Sequence, residues 1–158
     1  MAAPVPSVRV QPTGYMLREG YRTLITFASN PAVQLWEETV KPPDMDGGEV
    51  IDITTMFNNR VETHWYRHII KTGVATALCG YDPDVIPGLL AMVNVMDTVT
   101  LTFPDGSTWA GFGAMTKVEF PEHKRGEFPK ATVSFDFGNF DTTTSLEQQP
   151  TYTPAAGT

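Results

Sequence analysis

His64 and His68 are the residues whose spacing comes closest to a known catalytic or metal-binding motif. They lie four positions apart in THWYRHII, and on a helix this spacing would place both imidazoles within reach of one metal ion. The segment is at least as typical of a strand, in which residues four apart are separated by about 13 Å. A third ligand is missing, because no acid occupies the HExxH position and His123 lies in a charged turn. We therefore predict no metal site.

Nucleophilic and acid–base catalysis have no better candidates. Cys79 lies in an apolar stretch, where burial should raise the pKa of its thiol, and no serine stands in a G-x-S-x-G motif. Asp82 and Asp84 flank a proline, and we interpret them as acids at a helix start rather than as a catalytic pair. The glycines at 47–48 and 111–113 lack the lysine and the spacing of a phosphate loop. We predict a protein that is not an enzyme and binds no cofactor.

The aromatic side chains allow two interpretations. Exposed together they would form a platform for sugars or bases, but we favour packing in the core and at interfaces, where aromatic residues usually lie. The alternative is a carbohydrate- or host-surface-binding module, which would need Trp36, Trp65 and Trp109 on one exposed surface. The full set is Trp36, Trp65, Tyr66, Trp109, Phe112 and Phe120.

Acidic residues are concentrated in one segment. Between Glu37 and Asp52 the chain has six acids and one base, which is −5 of its net charge of −7. The prolines and glycines of KPPDMDGGEV predict a long loop, and a long loop in a compact domain usually binds something. The alternative is a solvated surface loop.

Basic groups of another copy of the chain could face this acidic loop. The loop residues are Lys41, Asp44, Asp46, Glu49 and Asp52, the main candidate partners are Arg22, Lys124 and Arg125, and further candidates are Arg18, Arg60, Arg67 and Lys71.

Length and composition limit the class of protein. A chain of 158 residues is about one domain, and an apolar content of 41% is too high for a disordered chain. The net charge of −7 argues against a protein that grips nucleic acid phosphates. A single cysteine excludes an intramolecular disulfide, and no segment is apolar enough for a leader or a membrane span. We expect a soluble protein with no membrane partner.

Alternating apolar and polar residues, interrupted by glycine, proline and aspartate, predict a mainly β fold. We expect a hairpin of strands at 22–28 and 33–40, and an interior strand at 73–81. Asp82-Pro83-Asp84 should begin the one short helix. Further strands are predicted at 49–55 and 60–70, in a hairpin of 98–103 with 108–120, and at 130–137, where Ala131, Val133, Phe135 and Phe137 should be buried.

Both ends of the chain are predicted to be loosely held arms. Prolines and Gly14 interrupt the first residues, and NFDTTTSLEQQPTYTPAAGT at the end is rich in Thr, Gln and Pro. We therefore divide the chain into an N-terminal arm (1–19), a β domain (20–138) and a flexible C-terminal arm (139–158).

The order of these features resembles the tail tube proteins of long-tailed bacteriophages. The resemblance covers about residues 20–138 and rests on patterns of strand and turn. These patterns are the acidic loop KPPDMDGGEVIDITTMFNNR, the segment WYRHIIKTG, the helix PDVIPGLLAMV, and DTVTLTFPDGSTWAGFGAMTKVEF followed by EFPKATVSFDF. A related tail-assembly protein, such as a terminator or a tail-tip ring protein, is the neighbouring alternative.

The resemblance implies a fold and a structural role. The fold is an antiparallel β-sandwich or barrel with one short flanking helix, assembling into hexameric rings that share an inner β-barrel and stack into a tube. The implied partners are other copies, tape-measure protein in the lumen, terminator and tail-tip proteins at the ends, and DNA in transit without specific binding. Such a virion protein is made in the cytoplasm of the bacterial host, and the acidic loop would contact a neighbouring subunit or the next ring.

Overall fold

Alternating residues of the chain build one antiparallel sheet of seven strands in the computed structural model, which describes residues 23–156. The strands of the main path follow the order Leu24–Phe27, Met96–Thr102, Thr108–Glu119, Lys130–Asp136, Ala75–Gly80 and Trp36–Lys41, and Thr151–Thr153 also pairs with Thr108–Glu119. One short helix accompanies the sheet, so the predicted mainly β fold is confirmed. The elements are β1 (Leu24–Phe27), β2 (Trp36–Lys41), β3 (Met45–Asp46), β4 (Ile51–Asp52), β5 (His64–Trp65), β6 (Lys71–Thr72), β7 (Ala75–Gly80), α1 (Ile86–Ala91), β8 (Met96–Thr102), β9 (Thr108–Glu119), β10 (Lys130–Asp136), β11 (Phe140–Asp141), β12 (Leu146–Glu147) and β13 (Thr151–Thr153).

The hairpin of β8 and β9 is the local prediction that the structure confirms most fully. Its strands pair from Thr102 with Thr108 to Met96 with Ala114. The connecting turn is stabilised by Asp105, whose Oδ1 accepts a hydrogen bond from the backbone N–H of Ser107. Gly106 has a φ of +84°, which explains why glycine follows the aspartate here.

The core lies on one face of the curled sheet. On β10, Ala131, Val133 and Phe135 are buried, whereas Thr132 and Ser134 are half-buried on the opposite face. The predicted register of this strand is therefore confirmed. The ring of Phe135 packs against that of Phe27, with ring centroids 5.9 Å apart. The interior position predicted for the 73–81 strand is also confirmed, because β7 lies between β10 and β2.

The predicted hairpin of the first two strands is wrong. β1 pairs with β8 and β2 pairs with β7, so the two strands form opposite edges of the sheet. The carboxylate of Asp97 accepts hydrogen bonds from the N–H and hydroxyl of Ser29, which tie the end of β1 to the start of β8. The two edges still approach each other, since Glu37 Oε1 accepts a hydrogen bond from the N–H of Ile25 at 2.8 Å.

The helix begins later than the sequence predicts. The residue that precedes its first turn is Val85, which makes no side-chain capping bond, and Pro87 lies in that turn. Asp82 does not cap the helix, because its carboxylate accepts hydrogen bonds from the N–H of Asp84 and from Trp36 Nε1. These bonds lower the pKa of Asp82 from its ordinary value. No helix in the described part of the chain is long and apolar enough to cross a lipid bilayer.

The C-terminal segment, expected to be a flexible arm, is described as far as residue 156. β11 and β12 form a small hairpin, and β13 pairs with β9 from Thr151 with Ala110 to Thr153 with Thr108. The carboxylate of Asp141 organises the small hairpin by accepting hydrogen bonds from Thr143 N–H, the Thr144 hydroxyl and Gln148 Nε2. The N-terminal arm of residues 1–19 lies outside the described residues.

Candidate functional site

A long two-stranded extension leaves the sheet between β2 and β7. We call residues 44–72 the arm. Its outgoing half (44–53) and returning half (64–72) are joined by a tip (54–63), and β3 pairs with β6 and β4 with β5. Because β2 and β7 pair with each other, the arm continues this pair beyond the body of the sheet. Every residue from 44 to 71 is exposed except the half-buried Asn58.

Hydrogen bonds within the tip hold it in one conformation. Asn58 Oδ1 accepts from the N–H and hydroxyl of Thr55, while Asn58 Nδ2 donates to the carbonyl of Val61 and to the hydroxyl of Thr63. The N–H of Ile53 donates to the carbonyl of Thr63 at 2.9 Å, which closes the ribbon below the tip. The arm is thus an organised hairpin, and the long loop predicted here is its outgoing half.

The base of the arm is fixed to the body of the domain. The N–H of Gly73 donates to the carbonyl of Asp44 at 2.7 Å, and a Cβ at position 73 would lie 3.2 Å from the backbone nitrogen of Asp44. Asn139 Nδ2 donates to the hydroxyl of Thr72, and the N–H of Asn139 donates to the carbonyl of Phe112 in β9. These bonds fix the direction in which the arm leaves the sheet.

Exposed apolar residues are concentrated on the arm. Of the 19 large apolar side chains that are exposed in the described residues, 11 lie between 45 and 70, although the arm is less than a quarter of that part. Phe57 at the tip is 97% exposed and Trp65 on the returning half is 55% exposed. The full set is Met45, Val50, Ile51, Ile53, Met56, Phe57, Val61, Trp65, Tyr66, Ile69 and Ile70.

Acidic and basic residues lie on different halves of the arm. The outgoing half carries four acids and no base, the tip carries one of each, and the returning half carries Arg67 and Lys71 with no acid. Among the described residues, the ion pairs that involve the arm are Lys41 with Asp44 at 3.2 Å and His64 with Glu62 at 3.5 Å.

Of the predicted loop residues, Asp44, Asp46, Glu49 and Asp52 lie together on the outgoing half, and Lys41 ends β2 beside the base. Hydrogen bonds from Thr54 lower the pKa of Asp52 from its ordinary value.

The two main predicted basic partners that lie within residues 23–156 make no ion pair with the arm. Lys124 and Arg125 lie in the exposed connection between β9 and β10, where Lys124 Nζ is 3.2 Å from Glu122 Oε2. Arg22 lies outside the described residues.

The further candidates Arg67 and Lys71 lie on the returning half and Arg60 lies in the tip, while the predicted 49–55 and 60–70 strands shrink to β4, β5 and the residues around them. The returning half mixes aromatic, aliphatic and basic residues without strict alternation. This pattern could have indicated that the segment is an exposed contact surface rather than a strand of the core.

A groove runs along the arm, with a volume of about 950 Å³. Its apolar lining includes Ile51, Trp65 and Ile69. Asp46 and Glu49 of the outgoing half and Arg67 and Lys71 of the returning half add charge of both signs. The side chain of Arg67 crosses over Gly48, where a Cβ would lie 3.2 Å from Arg67 Cδ.

No protein-family model and no curated protein matches the chain by sequence. Several solved structures match it in three dimensions. A chain in the extended sheath–tube complex of the PVC extracellular contractile injection system has a TM-score of 0.62 and 10% identity, over 88% of this chain and 93% of that chain.

A chain in the tube-terminating cap of the anti-feeding prophage has a TM-score of 0.61 and 10% identity, over 92% of this chain and 97% of that chain. A chain in the tail of a gene transfer agent particle has a TM-score of 0.60 and 9% identity, over 87% of this chain and 99% of that chain. The chain shares the fold of these three chains.

The side chains considered for chemistry are dispersed over the fold. No group of three His, Cys, Asp or Glu side chains that could bind a metal occurs within residues 23–156. Cys79 is buried, and burial together with the nearby Glu37 carboxylate raises the pKa of its thiol to about 12. At neutral pH the thiol is therefore protonated and unreactive.

The three tryptophans do not share an exposed surface. Trp109 is buried against Phe137, with ring centroids 4.7 Å apart, and Trp36 is half-buried and hydrogen-bonded to Asp82. Trp65 alone of the three is exposed. The arrangement required for a carbohydrate-binding platform is absent from these residues.

Proposed function

We propose that the chain is a structural subunit of a bacteriophage tail or tail-like particle, and that its copies assemble into stacked hexameric rings. The rings form a tube that conducts DNA during ejection. The observation that carries this proposal is the arm, which projects from a tail-like fold and exposes 11 large apolar side chains. Burying exposed apolar area of this kind in an interface stabilises the assembly by about 25 cal/mol for each Å² removed from water.

The arm supplies the contact between subunits in this proposal. Lys41, Asp44, Asp46, Glu49 and Asp52 lie along or beside its outgoing half, where they can meet a neighbouring subunit or the next ring. Because tip and base are held by hydrogen bonds, little conformational entropy is lost when the arm binds. The proposed role requires no catalytic residue and no cofactor.

The remaining partners follow from a tube. Tape-measure protein fills the lumen before DNA does, and terminator and tail-tip proteins close the two ends. A net charge of −7 keeps transiting DNA from binding to the wall, because like charges repel. The protein would be part of the virion after its synthesis in the cytoplasm of the bacterial host.

A terminator or a tail-tip ring protein is the second candidate. The likeness to a chain in the anti-feeding prophage cap favours this candidate as much as the tube complex favours the first. The two differ in how growth ends. A tube subunit adds rings without limit as concentration rises, whereas a terminator stops at one ring.

Negative-stain electron microscopy of the concentrated protein, combined with sedimentation velocity, tests the proposal. We expect tubes with a central channel whose length increases with protein concentration. Single rings of constant size would favour the terminator. A chain that stays monomeric at every concentration would refute both roles.

A further inference from the structure

The two halves of the arm carry opposite charges that no ion pair between them neutralises within residues 23–156. Asp46 and Lys71 are cross-strand partners in the β3–β6 pair. Even so, among residues 23–156 neither of them, nor Glu49 or Arg67, makes an ion pair within 4.0 Å. Each half is therefore free to attract an opposite charge from another molecule.

The strands of the arm also have edges without a backbone partner in the part of the chain that the structure describes. β3 pairs only with β6, and β4 pairs only with β5, so each of these strands has one edge without a backbone partner among the described residues. Free edges and exposed apolar side chains are features of a surface that another strand covers.

We propose that the arms of neighbouring copies pack side by side, with the outgoing half of one arm against the returning half of the next. Asp46 and Glu49 of one copy then face Arg67 and Lys71 of the following copy, and Ile51, Trp65 and Ile69 are covered between them. This contact rests on the self-assembly proposed above and specifies the surfaces that meet.

The distribution of charge on the arm favours a rotational repeat over a two-fold axis between neighbouring copies. A two-fold axis would bring the same edge of both arms together, acid against acid or base against base, which is unfavourable. A rotation that repeats in one direction brings acid against base at every contact and can close a ring. It also places an outgoing strand beside a returning strand, and these two run antiparallel.

The connection between β9 and β10 is a weaker partner for the acids. It contains Lys124 and Arg125 but also Glu122 and Glu127, so its net charge is zero. Lys124 is already paired with Glu122. The returning half of the arm has two bases and no acid and therefore complements the outgoing half better.

Charge reversal tests the contact on the full chain. One variant carries Asp46→Lys and Glu49→Lys, and a second carries Arg67→Glu and Lys71→Glu. All four side chains are exposed, so both variants should keep the thermal unfolding midpoint of the wild type within a few degrees. Each variant alone places like charges at every contact, and we expect the critical concentration for assembly to rise at least tenfold.

Two combinations should restore assembly. An equal mixture of the two variants can alternate around a ring of six with opposite charges at every contact. A single chain with all four substitutions reverses both halves and should assemble alone. In mixed ¹⁴N and ¹⁵N wild-type protein, a carbodiimide should link Lys71 of one copy to Asp46 or Glu49 of another, detected by mass spectrometry.

The outcomes separate this contact from the proposed function. If the wild type forms tubes and both double variants also form normal tubes, the arm contact is wrong while the structural role stands. If the acid-to-lysine variant fails but the base-to-glutamate variant assembles, the acids meet a basic surface other than the returning half. A wild type that never associates overturns both the contact and the role.

Discussion

Phe135 and Ser134 are adjacent on β10, but their side chains leave opposite faces of the sheet. Phe135 is 0% exposed in the core, whereas Ser134 is half-buried on the other face and lies opposite Lys117 of β9. We expect Phe135→Asp to cost more than about 4 kcal/mol and to prevent folding, because it removes a core ring and buries a charge.

Ser134→Asp is the matched control, since it places a carboxylate beside Lys117 and should leave the domain folded. Thermal unfolding followed by circular dichroism distinguishes the two variants. Equal unfolding midpoints for both would show that the assigned register is wrong.

Gly113 occupies a position in β9 where no larger residue fits. An added Cβ would overlap the carbonyl oxygen of Asp136 and would lie 2.9 Å from Cα of Phe137, so backbone would have to move. We expect Gly113→Ala to destabilise the domain by about 3 kcal/mol or more. Gly47→Ala in the arm should have little effect, because nothing lies within 4 Å of its added Cβ. Chemical denaturation of both variants provides the measurement, and a stable Gly113→Ala variant would contradict this packing.

Asp141 makes the small β11–β12 hairpin dependent on pH. Hydrogen bonds from the Thr144 hydroxyl and the Thr143 N–H lower the pKa of its carboxyl group in the folded state. The stabilisation is therefore fully present above the ordinary aspartate pKa of about 4 and is lost as the pH falls through the lower folded value.

Asp141→Asn should therefore lower the unfolding midpoint at pH 7. The difference from the wild type should begin to shrink as the pH falls below about 4 and should disappear below the lower pKa of the folded state, where the wild-type carboxylate is protonated. Unfolding midpoints of both proteins from pH 7 to pH 2.5 give the comparison. A constant difference over that range would rule out the charged carboxylate as the source of stability.

The arm and the body of the domain should be separable. The arm contributes no buried residue, and β2 and β7 already pair from Trp36 with Gly80 to Lys41 with Thr76. Replacing residues 46–71 by Asn-Gly, a common two-residue hairpin turn, should leave the unfolding midpoint within a few degrees of the wild type. Assembly should be lost, as measured by sedimentation velocity and electron microscopy. Tubes formed by this variant would show that the arm is dispensable.

Sequence patterns predicted the elements whose residues alternate over at least six positions. β8, β9 and β10 are of this kind, because Val99, Leu101, Val133 and Phe135 are buried in the core. The partner of β1 could not be predicted, since pairing with β8 depends on contacts about 75 residues apart, such as Leu24 with Thr102. The turn-forming residues 29–31 led to the wrong prediction that the strands on either side of them pair with each other.

The charged residues of the candidate site could be predicted, but its exposed apolar surface could not. The acids of the outgoing half stood out by charge, but its strands are two residues long and leave no periodic pattern. The returning half contains Trp65, Tyr66 and Ile69, and its aromatic and β-branched content predicted a strand. These residues are exposed in the single chain, and an apolar pattern does not distinguish burial in a core from burial against another copy.

The net charge of the whole chain opposes assembly, while the arm favours it. A ring of six would bring together six charges of −7, and this repulsion acts over distances comparable to the subunits when salt is low. The Debye length is about 30 Å at 0.01 M and about 8 Å at 0.15 M salt. Contacts between arm charges at a few Å are screened much less over this range.

Assembly should therefore depend on salt in two stages. We expect the critical concentration to fall between about 0.01 and 0.15 M salt, as the repulsion between subunits is screened, and to rise again towards 1 M, as the arm ion pairs weaken. A variant with a lower net charge tests this explanation. Replacing Glu127 and Glu147, which are exposed outside the arm, by Gln reduces the net charge to −5. This variant should have a lower critical concentration than the wild type at 0.01 M salt and the same critical concentration at 0.15 M. Light scattering across the salt series measures both proteins, and a critical concentration that rises steadily from the lowest salt would show that repulsion between whole subunits does not limit assembly.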